Sequence, residues 1–281
     1  MNLPLAAILL SFLGYSILNI AQAFQKIGLS KKNDRPVAGW SIWAVATFAT
    51  SISFLIVYVA ISFGSVAIVG AMSGSGLASL ALFSRFAMKE KILKQEIIGI
   101  AVIVAASGMI GVFSKKYIEP SINRPGLYLF LGVGLFIYIF AGFLLRKRGR
   151  LGFVIGGLSG FLGGSSSVFQ KVTTTEAGGA FFSELGFIRG FVDALGNPFT
   201  VVWVLLSVIS MIVLQFSYKW GKAITIIPSF TVSFIIAPVV GGLVVFSETL
   251  HPIQWAGIGV MIVGSILLTA KTSRQKQVQQ K

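Results

Sequence analysis

The chain has 281 residues, 55% of them hydrophobic and only 11% charged, with a mean hydropathy of +0.89. A typical soluble domain is about 25% charged, so these proportions exclude an ordinary soluble enzyme or nucleic-acid-binding domain and leave a polytopic protein of the lipid bilayer. The net charge of +15 would point to nucleic acid in a soluble chain; here membrane topology accounts for it.

Nine apolar runs follow one another, at residues 3–23, 40–61, 66–88, 97–113, 127–145, 151–169, 199–218, 224–246 and 253–270. Each approaches the roughly 17–25 residues that a hydrocarbon core requires, and each is bounded by charge or by Gly, Pro and Ser. The fold class is therefore an all-α polytopic membrane protein with about nine transmembrane helices. The first run lacks a basic leader and a small-residue cleavage site, so it is expected to stay as a helix rather than act as a signal peptide.

Residues 177–195 decide between nine spans and ten. Phe181, Leu185, Ile188, Val192 and Leu195 make one apolar face while Glu184, Arg189 and Asp193 keep the segment polar, which reads as interfacial or re-entrant. Residues 271–281, KTSRQKQVQQK, have nothing to bury and are expected to be disordered.

Assigning alternate connections to alternate sides places 18 basic residues on one side, Lys26, Arg35, Arg85, Arg146, Lys219 and Lys271 among them, and five on the other, Lys115, Lys116, Arg124, Lys171 and Arg189. By the positive-inside rule the richer side is cytoplasmic. The N-terminus is then outside and the C-terminus inside, in what is expected to be the plasma (inner) membrane. A tenth span would move Lys219, Lys222 and the basic tail outside and nearly erase the bias, so nine is preferred.

The functional reading turns on residues 10–26, LSFLGYSILNIAQAFQK. Tyr15, Asn19, Gln22 and Lys26 are spaced four, three and four, so they share one helical face. Amides and ammonium groups in hydrocarbon need partners or water, and this face should look into a bundle. Residues 158–171, LSGFLGGSSSVFQK, echo the stretch. Aligning the two FQK ends sets Gly160, Gly164 and Ser167 against Tyr15, Asn19 and Gln22: one copy brings polar side chains and the other leaves room.

The echo extends further. An offset of 158 carries Ser73 onto Thr231, Ser75 onto Ser233, Glu90 onto Glu248, Gly99 onto Gly257 and Ser107 onto Ser265, and an offset of 160 carries Trp43 onto Trp203 and Tyr58 onto Tyr218. These matches outline a four-helix unit in residues 1–113, repeated at 151–271, with a linking helix and loops at 114–150 and a cytoplasmic polar tail at 272–281. With five spans before it, the second unit starts from the opposite face, which makes an inverted repeat. Such repeats underlie many secondary transporters, whose cargo sits near the midplane where the repeats meet.

Gly70-x3-Gly74 and Gly156-x3-Gly160-x3-Gly164 let helix backbones approach closely; static packing is the plainer reading and a sliding gate the sharper one. Pro228 and Pro238 free backbone carbonyls within one helix. Glu90 and Glu248 close the third helix of each unit, where the macrodipole disfavours a carboxylate. A helix start or a cation should therefore hold each, in a turn-and-cap role, with proton coupling as the sharper alternative. Lys26 and Lys171 sit near opposite faces, either snorkelling or drawing negative charge into each mouth.

The two-unit layout, the Glu after a long helix containing small residues or Pro, and the following helices QEIIGIAVIVAASG and QWAGIGVMIVGSILL resemble the drug/metabolite transporter superfamily (EamA-like). The four-plus-one-plus-four layout, with FQK ends on the first and sixth helices, is similar more specifically to its NIPA-type branch. This resemblance covers nearly the whole chain on short motifs and implies a transporter, for that branch one of magnesium. Two departures stand out. Better-known members of the superfamily have ten helices, and the branch implies a carboxylate in the second helix, where this chain has Thr50-Ser51.

The leading expectation is a secondary transporter of a small polar or anionic organic solute. Its pathway would be lined by Tyr15, Asn19, Gln22, Lys26, Ser73, Ser75, Ser167, Gln170, Lys171, Ser229, Thr231 and Ser233. The alternative is a NIPA-type magnesium transporter, against which stands the lack of Asp or Glu inside any run. A membrane enzyme or a lipid-handling scaffold ranks last. Zero cysteines and a single histidine, His251, remove thiolate ligands and cysteine nucleophiles, and no buried carboxylate pair replaces them. No cofactor, resident metal or nucleic acid is expected; the partners are the bilayer and a small-molecule or ion substrate, with a homodimer left open.

Overall fold

The computed structural model describes residues 3–31, 35–86, 94–112, 121–145, 150–176, 196–221 and 223–278. Among them every regular element is a helix: α1 Leu3–Lys31, α2 Pro36–Phe63, α3 Val66–Ala71, α4 Ser73–Phe86, α5 Lys94–Val112, α6 Arg124–Leu145, α7 Leu151–Glu176, α8 Pro198–Ser217, α9 Ala223–Phe246 and α10 Pro252–Val278. Seven stretches are long and apolar enough to cross a membrane, α3 and α4 together forming one of them. The apolar parts of the other two expected spans, Ile97–Ile110 and Pro252–Leu268, are shorter. The protein is an integral membrane protein, and residues 177–195, on which the choice of nine or ten spans rests, lie outside the described residues.

Local chemistry sets several of the helix starts. Pro36 and Pro198 occupy first-turn positions, where the missing N–H costs nothing. Asn197 caps α8 by accepting from Phe199 N at 2.8 Å, and Ser65 caps α3 by accepting from Ile68 N at 3.3 Å. The third pass breaks at Met72, between the glycines Gly70 and Gly74. By contrast α9 runs through both Pro228 and Pro238 as one helix. One expectation fails: α10 does not stop near Ala270 but continues to Val278. Lys, Arg and Gln are good helix formers, so a polar stretch with no core to join can still extend a helix that precedes it.

The passes alternate in direction. Gly14 faces Val57 and Gly28 faces Trp43, so α1 and α2 run antiparallel. Phe169 meets Phe199 and Ser159 meets Ser210, which does the same for α7 and α8. Ser16 bonds Ser79 and Phe24 meets Phe83, making α1 and α4 parallel, as α7 and α9 are. Across the two halves α3 packs on α9 and α5 on α10, both antiparallel, through Gly70 on Pro238 and Gly99 on Leu268. The apolar core is split accordingly. One cluster joins α3, α5, α9 and α10 with Ile8 of α1 and Ala78 of α4, another joins α6, α7, α8 and α9 with Val66 of α3, and a third joins α1 and α2 with Val69 of α3. The exposed sides of α6 and α8, Phe136, Phe140, Val208 and Ile212 among them, face outward as a lipid-contacting surface should.

Candidate functional site

The polar stripe of α1 passes from closed to open along its length. Tyr15 is buried, and its hydroxyl points toward Ser167 of α7 without completing a hydrogen bond. Asn19, half-buried, donates to Tyr15 O at 2.9 Å and lies against Gly76 of α4. Gln22 falls on the same helical arc as the buried Ser11, Tyr15 and Leu18, yet it is exposed. The Lys26 side chain, one turn further on, is outside the described residues.

The room expected opposite this stripe is taken. Added side-chain atoms at Gly156, Gly160 and Gly164 would strike Ile226 O, Phe230 O and Phe234 O, so α7 lies directly on the backbone of α9 in a four-residue register. Val168 continues the seam onto Gly241. The glycines serve close packing here, not a cavity beside α1.

The candidate hydroxyls are divided between helices. Ser229 donates to Phe153 O at 2.8 Å and Ser233 pairs with the Tyr138 hydroxyl at 2.6 Å, tying α9 to α7 and α6. Thr231 donates to Ile227 O of its own helix at 3.0 Å, on the arc of α9 that carries Pro238 and Gly242 toward α3. Ser75 donates to Met72 O at 2.6 Å, at the break in the third pass. Ser73, Ser167 and Gln170 are buried. The structure thus brings Tyr15, Asn19, Gly76 and Ser167 to one crossing and keeps Ser229 and Ser233 on the far side of α9.

Sequence reasoning missed the corner between α2 and α3. Lys171, only 1% exposed, does not snorkel: its ammonium donates to Ile61 O at 2.8 Å and Gly64 O at 3.0 Å. Glu248 accepts from the Ser65 hydroxyl at 2.6 Å, Val66 N at 2.8 Å and Ala67 N at 3.1 Å. Ser247, in the left-handed region at φ 50°, turns the chain back so that Glu248 N reaches Gly242 O at 3.0 Å. Glu90 lies outside the described residues. At the same end Gln254 donates to Ile110 O at 3.1 Å and Arg124 pairs with Glu176 at 3.0 Å. A serine directly before an apolar helical run is the signal that could have found Ser65 as a cap; the carbonyls of Ile61 and Gly64 leave no mark in a sequence. Among the described residues no group of three or more His, Asp or Glu is placed to hold a metal ion.

With these contacts in view, comparison with known proteins gives one relative. The chain is similar to the probable magnesium transporter NIPA9 of Arabidopsis thaliana. They are 29% identical over 273 residues, which is 89% of this chain and 76% of the relative. No protein-family model matches the chain, and no solved structure does.

Proposed function

We propose that the protein is a membrane transporter working by alternating access between two inverted four-helix repeats, and that its cargo is magnesium, carried with much of its water. The observation that carries the cargo is the likeness to NIPA9 over 89% of the chain. Mg²⁺ dehydrates reluctantly and is commonly met through its own waters, so hydroxyls, amides and carbonyls suffice where carboxylates are lacking. What supports the mechanism is the matched packing of α1, α2 and α4 with α7, α8 and α9, and a break at Met72 with Gly70 set against Pro238. Interrupted helices at a repeat interface are where transporters of this build hold cargo.

In this reading Tyr15, Asn19 and Gln22 line the path with Ser167, Lys26 stands at its cytoplasmic mouth, and the C-terminus is cytoplasmic. Uptake of Mg²⁺ into proteoliposomes, followed by a trapped fluorescent indicator, tests it. A saturable, protein-dependent signal is expected, and none with folded protein would end the cargo assignment. A second reading, a polar or anionic organic solute, is favoured by the lack of an acidic cluster among the described residues. Lys26→Gln separates the two by sign. Removing a positive charge from the mouth raises entry of a dication and lowers entry of an anion.

A further inference from the structure

Lys171 and Glu248 both belong to the second repeat, and both end on one corner of the first. That corner joins the C-terminal end of α2, where unpaired carbonyls gather negative partial charge, to the N-terminal end of α3, where unpaired amides gather positive. The ammonium of Lys171 meets the carbonyls of Ile61 and Gly64, and the carboxylate of Glu248 meets the hydroxyl of Ser65 and the amides of Val66 and Ala67. Each charge has found the helix end of opposite sign. Gly242 lets the carboxylate lie close, since an added side-chain atom there would strike Glu248 Oε2.

A buried ammonium or carboxylate stripped of partners without gaining water is strongly disfavoured. The α2–α3 corner therefore cannot leave α7 and α9 until water or cargo reaches both charges. At the opposite end the hydrogen bonds of Gln25 tie α1 to α2 within the first repeat and that of Ser229 ties α9 to α7 within the second, the halves meet through apolar packing of Gly99 on Leu268, and Gln22 on the inward arc is exposed. We propose that Lys171 and Glu248 are a two-charge gate that closes the pathway at the outer face in the state described here, with access from the face that carries Gln22. This deepens the transport reading and rests on it.

Single reporter cysteines are available because the chain has none. Ala60, fully buried beneath the corner, reports the outer side and Gln22 the inner. In oriented vesicles, an impermeant maleimide should leave Ala60→Cys unlabelled from outside. Adding Lys171→Gln or Glu248→Gln should raise that labelling several-fold and lower labelling of Gln22→Cys from inside. A gain at both reporters means general loosening, no change at either means no gate, and each overturns the proposal. Should these variants not fold, a Tyr58→Cys/Trp203→Cys pair, which joins α2 to α8 at the same end where the two rings lie 6.5 Å apart and leaves both charges in place, can be bridged by a bis-methanethiosulfonate and gives a second decision. Bridging should abolish transport until reductant is added, and undiminished transport overturns the gate. Labelling needs no cargo, so failure of magnesium uptake with reciprocal labelling intact removes the cargo and keeps the gate.

Discussion

Helices α1 and α7 carry the same tripeptide, Phe24-Gln25-Lys26 and Phe169-Gln170-Lys171, yet they live in different surroundings. Of the α7 span 78% is buried inside the protein, against 44% of the α1 span. The parallel contact of α1 with α4 has a counterpart in that of α7 with α9, but the glycine changes sides. Between α7 and α9, α7 supplies glycines and α9 the carbonyls; between α1 and α4, Gly76 of α4 receives Tyr15 O and the Asn19 side chain of α1. Moving the small residue onto the partner frees α1 to carry polar side chains. The α7–α9 pair becomes a tight block, while α1 keeps Tyr15 and Asn19 at its crossing with α4.

The comparison breaks first at the seam of the tight block. Gly164→Val must push atoms into Ala237 Cβ, Phe234 O and Pro238 Cδ, each 2.8 Å from the added Cβ. Overpacking typically costs about 1–3 kcal/mol, and backbone cannot step aside as a side chain can. The expected outcome is loss of monodisperse protein on size exclusion after detergent extraction. Gly132→Val, where nothing lies within 4 Å of the added atom, should behave as the parent does. Gly76→Ala should fall between, because the Asn19 amide can rotate but Tyr15 O cannot.

A functional difference should follow on the looser side. If Asn19 and Gln22 touch cargo, each alanine variant loses a polar contact of about 0.5–1.5 kcal/mol, equivalent to about a 2- to 10-fold rise in apparent Km at normal expression. Leu13→Ala, on an exposed face of the same helix, should leave kinetics unchanged. Wild-type kinetics in both polar variants would return the stripe to helix packing. Leu18 would be a poor control, since it is buried in the cluster with Val57 and Ile61.

Hydropathy runs made most of the helices legible, because length and apolarity are what the bilayer reads. The glycine stripe of α7 was legible as a close approach, but not what approaches: a backbone has no sequence signature. For that reason the space opposite Tyr15 and Asn19 reads as room in an alignment and is filled by α9 in the fold. Lys171 was hidden in the same way, since its partners are carbonyls contributed by Ile61 and Gly64. Glu248 announced that some helix start or cation should hold it. That the start belongs to α3, more than 180 residues earlier in the chain, depends on tertiary packing. The break at Met72 has a faint trace in the glycines and serines around it, residue types that weaken a helix.

The smallest expected effect separates the two FQK glutamines. Gln25 donates to Thr47 at 3.3 Å and Thr50 at 3.1 Å, hydroxyls that already donate to Trp43 O and Ala46 O of their own helix. Removing the amide strands nothing, since the threonines keep their backbone partners. Polar contacts between membrane helices average about 0.6 kcal/mol, so Gln25→Ala should shift the unfolding midpoint in detergent only slightly. Gln170 is 3% exposed in the tight block. Its truncation also leaves a hole that the seam of α7 on α9 cannot collapse to fill. Gln170→Ala should therefore lower the midpoint by clearly more than Gln25→Ala. Equal shifts would mean that α1 is held by its neighbours as firmly as α7 is by its own, against the difference in burial between them.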